Sequence, residues 1–156
     1  MQELIERYAA GADVLLRGIA GLTAAELDSF PIPGTWSIRQ IVLHLTDSEL
    51  VDADRIKRLI AEDDALLIGY NENRFAARLQ YARRDVAAAA ELFRQLRQAT
   101  AELLRLVPEG EYGRTAVHSE RGKLTLREML EYAEAHVENH LRHLREKRRL
   151  LGKPMV

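Results

Sequence analysis

Apolar residues recur at helical spacing through four long stretches of the chain, separated by polar connections rich in turn residues. The first stretch covers roughly residues 2–20 and puts Leu4, Tyr8, Ala12, Leu15, Leu16 and Ile19 on one face; Gly21 ends it. Thr23 and Glu26 form a capping-box pair that opens one short extra helix. Between Phe30 and Trp36 two prolines and a glycine forbid regular helix. Ser37 and Gln40 make a second capping box, and the helix behind it turns Ile38, Ile41, Val42, Leu45, Ile56, Leu59 and Ile60 inward. A break near Asp63 and Asp64 leads into a long connection through residues 69–73, with a short helical piece over residues 74–79. The third long helix starts near Asp85, carries Val86, Ala89, Ala90, Phe93, Leu96, Leu103, Leu104 and Val107 inward, and stops at Pro108 and Gly110. Residues 111–124 hold two glycines and scattered β-formers, which suit a loop or a small hairpin. Thr125 and Glu128 form a third capping box and open the last helix, which ends near Gly152.

Each long helix can span a small bundle, so the pattern predicts an all-α four-helix bundle occupying residues 1–156 as one domain. Composition narrows the function. The 23 basic and 24 acidic residues leave a net charge of −1, without the basic excess of a nucleic-acid-binding module. No cysteine is present, which excludes disulfides, thiolate metal sites and a protein-borne thiol nucleophile. The first residues lack the basic head and apolar run of a signal peptide, and no apolar run reaches membrane-spanning length. A cytoplasmic protein that works without membrane or nucleic acid is the expectation.

The last helix carries the candidate chemistry. Its inward stripe reads Leu126, Met129, Leu130, Ala133, His136, Val137, His140, Leu141, Leu144, so two histidines sit in the stripe itself, four residues apart. Residues at that spacing lie one above the other, and two imidazoles so placed can converge on one ion. Two inward histidines, each hydrogen-bonded to a neighbour, would give the same pattern. His44 adds a third histidine on an inward stripe, set among Ile41, Val42, Leu43 and Leu45. Burying three imidazoles without partners is costly, and a shared ion removes that cost while leaving coordination positions open. Imidazole donors suit zinc and nickel best, and iron or manganese less well.

Two further residues are candidates for catalysis. Asp47, three residues after His44, can orient a ligand or act as a base; a solvated surface carboxylate is the plainer reading. Arg97 interrupts an inward stripe and suits either an anionic substrate group or a structural carboxylate partner. His143 is a possible donor behind the ligands or an exposed flank, and His118 in the glycine-containing connection reads as surface. The basic run over residues 142–149, interleaved with Glu146, reads as a solvated helix end. Phosphate-loop, dinucleotide and serine-hydrolase motifs are absent. The metalloprotease motif fails because Val137, not glutamate, follows His136, and the Glu-x-x-His pairs of di-iron bundles are missing.

The segment Gly34-Thr-Trp-Ser-Ile-Arg-Gln-Ile-Val-Leu-His-Leu-Thr-Asp-Ser-Glu49 resembles the signature of the DinB-like superfamily, especially its YfiT-like branch. Tyr132-Ala-Glu-Ala-His-Val-Glu-Asn-His-Leu-Arg-His143 is similar to the second signature of that family, and residues 69–72 and 118–125 resemble its connecting segments. The likeness runs from about Gly34 to Leu144. It implies a four-helix bundle with a long crossover connection, commonly a homodimer, holding one divalent ion on the positions of His44, His136 and His140. Asn139 departs from the pattern, standing where relatives often carry another histidine. The resemblance implies a metal-dependent enzyme that activates a nucleophile for attack on a small-molecule substrate. That nucleophile is either a low-molecular-weight thiol (S-transferase) or water (hydrolase). A non-enzymatic metal-binding stress or interaction protein is the alternative.

Overall fold

The structure, a computed structural model, describes residues 1–155. It is a four-helix bundle. One position is shared by α1 (Gln2–Ala10) and α2 (Val14–Ile19), and the others are α4 (Ile38–Ala61), α6 (Val86–Leu106) and α7 (Leu126–Leu150). The short helices α3 (Ala24–Asp28) and α5 (Glu72–Arg78) lie in the connections. All three capping boxes form as the sequence predicts, at Thr23, Ser37 and Thr125, and Asp85 caps α6. Each gives the first turn acceptors for backbone N–H groups that have no partner inside the helix.

The first predicted helix is not continuous. It breaks at residues 11–13, and Arg97 supplies the reason. In an unbroken helix the Tyr8 carbonyl would accept from the N–H of Ala12. Here it accepts from Arg97 Nη1 and from the Gly11 N–H, each at 3.2 Å, while Ala12 N turns to the Ala9 carbonyl at 3.0 Å. Gly11 makes the approach possible, since a Cβ at that position would stand 2.2 Å from Arg97 Nη1.

A three-stranded sheet, larger than the hairpin expected from residues 111–124, closes one side of the bundle. The hairpin is present as β2 (Thr115–His118) and β3 (Gly122–Thr125), antiparallel with Ala116 opposite Leu124. A two-residue strand, β1 (Leu66–Leu67), adds to β2 in parallel, pairing Leu66 with Val117 and Leu67 with His118. Two residues carry no readable alternation, so β1 is invisible in the sequence. Its consequence is large: it fastens the α4–α5 connection to the α6–α7 connection, and Gly69 N donates to Ser119 Oγ at 2.9 Å just beyond it.

The basic run near the C-terminus is partly buried, contrary to the solvated helix end expected. Arg148 is 6% exposed and donates to the carbonyls of Gly18 and Ala20, both at 2.9 Å, which satisfies the end of α2. Among the described residues no helix is long and apolar enough to cross a membrane.

The break at Gly11 yields a prediction of sign. Its backbone is ordinary right-handed helix at φ −74°, where Gly→Ala usually stabilises by about 0.4–1 kcal/mol. Here the added methyl meets a guanidinium that cannot swing away, because it is 2% exposed and tied to Glu49. Gly11→Ala is therefore expected to destabilise by about 1–3 kcal/mol in urea unfolding. A stabilised variant would show that Arg97 is not fixed there.

Candidate metal centre

His44 enters the bundle interior from α4, and His136 and His140 meet it from α7. His44 Nε2 lies 3.1 Å from His136 Nε2, and one ring nitrogen of each of the three histidines lies within 4.8 Å of the others. The ring centroids are 4.6–5.1 Å apart. His44 is 1% exposed, and its two neighbours are half-buried. Aromatic rings hold the group in place. Trp36 sets its edge against His44 at 4.9 Å and runs nearly parallel to His140, while Tyr132, one turn before His136, stacks on it at 5.8 Å.

This environment keeps the imidazoles neutral. Burial, then the charges His140 and His136 would carry, push His44 down to about 3. Burial, followed by His140, Arg121 and Arg97, pushes His136 down to about 4, and burial followed by His143 does the same for His140. Neutral imidazoles each carry a ring nitrogen lone pair. Lone pairs gathered this closely repel one another, and a cation among them reverses the sign. The donor set fits a divalent ion: 3.1 Å between two nitrogens is less than twice a Zn–N bond of roughly 2.0–2.1 Å, so both can reach one ion. His44 Nδ1 is buried without a partner among the described residues, so its Nε2 is the nitrogen turned to the cluster.

A cleft of about 190 Å³ opens in front of His44 and His136. The loops joined by β1 and β2 build its walls. Glu72, the first residue of α5, places Oε2 3.8 Å from His44 Nε2 and remains half-exposed. Tyr70 hydrogen-bonds Ser48 with its hydroxyl, and burial above all raises its pKa to about 12, so it keeps its proton. Tyr132 forms part of the floor, and Arg55, His118 and Arg121 complete the lining. His118 is 4% exposed, not the surface residue expected, and its Nδ1 accepts from the Glu120 N–H at 3.2 Å.

Two buried ion pairs lie beside the histidines. Arg97 Nε donates to Glu49 at 2.9 Å, with both side chains at most 2% exposed, and Tyr8 adds its hydroxyl to the same carboxylate and its ring beneath the guanidinium. Arg55 Nη1 donates to Asp52 at 3.0 Å. Burial pushes the Asp52 carboxyl up to about 7; Arg55 opposes the shift and Glu49 reinforces it.

The structure thus brings together His44, His136 and His140 and leaves the two catalytic candidates elsewhere. Asp47 is held by both oxygens on Arg84 Nη1, at 2.9 and 3.1 Å, on the side of α4 that meets Leu79 and Arg84. Arg97 takes the structural carboxylate partner rather than facing the cleft. His143 is exposed. Sequence reasoning missed Glu72 and Tyr70, which follow the unreadable β1 pairing, Arg121 in the β2–β3 turn, and Arg55, which reaches the cleft from α4 itself. Tyr132 was legible in principle, four residues before His136 on the same helix face.

The family model described as the DinB superfamily matches residues 7–144 of the chain. A protein of Oceanobacillus iheyensis named "Putative metal-dependent hydrolase" is 26% identical over 131 residues, covering 84% of this chain and 76% of its own. "Putative metal-dependent hydrolase YfiT" of Bacillus subtilis is 25% identical over 139 residues, covering 88% and 78%. A solved structure described as "YfiT from Bacillus subtilis is a probable metal-dependent hydrolase with an unusual four-helix bundle topology" superposes with a TM-score of 0.90 at 24% identity, over 97% of this chain and 87% of that one. That likeness establishes the four-helix-bundle fold.

The depressed histidines set a pH dependence for the protein stripped of metal. Unfolded histidines bind protons below about pH 6.5, whereas the folded ones resist down to about 3 or 4. Their stability contribution is therefore intact above about pH 6.5 and is lost as pH falls towards 4. Asp52, raised to about 7, acts in the opposite sense with one proton against three. His44→Leu removes one resisting group, so its loss of melting temperature between pH 6.5 and 4 is expected to be shallower than in the unsubstituted protein. Equal slopes would mean that His44 is not held neutral.

Proposed function

The chain belongs to the DinB superfamily, and on that footing we propose that it is a metal-dependent hydrolase acting on a small molecule, with His44, His136 and His140 as ligands of one divalent ion. The donor chemistry supports zinc or nickel first, with iron or manganese also compatible. Three protein ligands leave coordination positions for solvent or substrate, as in catalytic rather than structural sites. When bound, the ion supplies Lewis-acid activation of a nucleophile and of the bond under attack.

One observation carries the choice of water as nucleophile: the Glu72 carboxylate, 3.8 Å from His44 Nε2 and free of any other ion pair among the described residues. Placed at the open side of the histidine cluster, Glu72 accepts a proton from an attacking water and can return it to the leaving group. The Tyr70 hydroxyl, kept protonated, is a donor at the same cleft. The ring of Trp36 backs His44 and His140, limiting their freedom to turn from the cluster. An external thiol would use the same open positions, since the chain has no cysteine of its own. The naming of the curated relatives points to hydrolysis.

The proposal includes assembly as a homodimer. Leu66 and Val117, paired across β1 and β2, and Ile68 beside them are 51–60% exposed on one sheet face, an apolar surface that a second copy would cover. Light scattering is expected to show twice the chain mass of 17.8 kDa, and a particle of the single mass would remove this part of the reading.

Metal content and turnover test the rest. Purified protein is expected to bind about one zinc or nickel per chain by elemental analysis, and His136→Ala to lose most of it. Glu72→Gln is expected to keep the metal while hydrolysis of a panel of esters and amides falls by about 10²–10⁴-fold. Turnover that depends on added thiol would shift the reaction to S-transfer. Bound metal with no turnover on either panel would identify a non-enzymatic metal-binding protein.

A further inference from the structure

We infer that Arg121 is the specificity-determining group of the cleft, and that the substrate carries a carboxylate which Arg121 receives beside the three histidines. The inference rests on the reading of those histidines as a metal centre and names the class of molecule that centre takes.

Arg121 lies in the turn between β2 and β3, and its Cζ stands 3.7 Å from the centre of the Tyr132 ring. Tyr132 in turn stacks on His136 with 14° between the ring planes. Guanidinium, phenol and imidazole therefore form a short ladder that ends at the metal cluster. A guanidinium held over a ring loses much of its rotamer freedom, and its outward N–H groups are then prepared for a planar acceptor with two oxygens. Among the described residues Arg121 has no ion-pair partner.

The other arginine of the cleft is committed. Arg55 gives Nη1 to Asp52 and Nη2 to the Ile68 carbonyl, and its Nε is buried with no acceptor. Its guanidinium is a fixed wall with one N–H unanswered, in the same lining as Arg121.

The acidic groups of the cleft leave the Arg121 side open. Glu72 sits at His44, and the Glu120 carboxyl group packs over Gly69, where a Cβ would come within 2.5 Å of its Cδ. Charge in the cleft is thus divided, with a carboxylate at the His44 end and an unpaired guanidinium over Tyr132. A substrate fits this division when its anionic group faces Arg121 and its reacting bond faces His44 and Glu72. One free arginine compensates one negative charge, which favours a carboxylate over a doubly charged phosphate.

The test reads binding, not turnover. Protein loaded with cobalt is titrated at neutral pH with mercaptoethanol, mercaptoacetate and mercaptosuccinate, following the sulfur-to-cobalt absorption. At least one carboxylated thiol is expected to bind about tenfold more tightly than mercaptoethanol, and this advantage is expected to shrink with added salt. Arg121→Gln, a change at an exposed position, should erase the advantage, lowering the affinity for the carboxylated thiol by about tenfold more than that for mercaptoethanol. Equal affinities in the unsubstituted protein would overturn the inference while the metal centre stands. An advantage that persists in Arg121→Gln would also overturn it, by assigning the preference to chelation at the ion. Failure to take up cobalt at all would overturn the metal centre itself, and this inference with it.

Discussion

A layer of polar side chains crosses the middle of the bundle, and satisfying that layer is the constraint on which the rest of the structure depends. Two apolar cores flank it. One gathers Leu15, Ile41, Phe93 and Leu144, and the other Leu4, Leu59, Leu104 and Met129. Between them lie Glu49, Arg97, Asp52, Arg55 and the three histidines, most of them almost without solvent contact. Unpartnered polar groups in such a place cost several times what an ordinary hydrogen bond contributes. Glu49 and Arg97 answer each other, with help from Tyr8, and their demand for one more carbonyl breaks the first helix at Gly11. The histidines have one another and, 3.8 Å from His44, the half-exposed Glu72 carboxylate. That asymmetry separates the structural part of the polar layer from the part built for a ligand.

The scaffold gives the histidines the rigidity that a metal centre needs. His44 lies in the second turn of a helix fixed by a capping box, and His136 and His140 lie within a helix of 25 residues. The groups expected to meet substrate sit on shorter elements: Glu72 at the start of α5, Tyr70 just before it, and Arg121 in a hairpin turn. On the proposed reading, metal ligands stand on long helices and substrate contacts on loops, a division in which a rigid scaffold positions the site and loops carry its specificity. The three-stranded sheet reconciles the two, because β1 and β2 tie both sets of loops to one edge of the bundle.

Much of this was legible in the sequence. The four helix positions, the three capping boxes and the His44, His136 and His140 cluster follow from local signals: caps at fixed offsets, apolar spacing, and histidines lying within that spacing. The parts that were not legible depend on long-range pairing. Arg97 suited an anionic substrate group and a structural carboxylate partner equally, because the partner it takes, Glu49, lies 48 positions away on another helix. Asp47 looked close to His44 in sequence, yet three residues along a helix also turn a side chain away, here towards Arg84. Glu72 comes to the cleft from a segment fastened by two residues of β1 pairing with β2, a contact with no periodicity to detect, and Arg121 comes from the β2–β3 turn, where it meets Tyr132.

The central claim is that three neutral imidazoles hold one divalent ion in the middle of this bundle. X-ray absorption on the zinc-loaded protein tests it most directly, since imidazole rings scatter in a pattern that carboxylate and water ligands lack. The account predicts three imidazole nitrogens at roughly 2.0–2.1 Å, with the remaining ligands being light atoms. A zinc environment with one imidazole or none, made up of carboxylate and water oxygens, would contradict it.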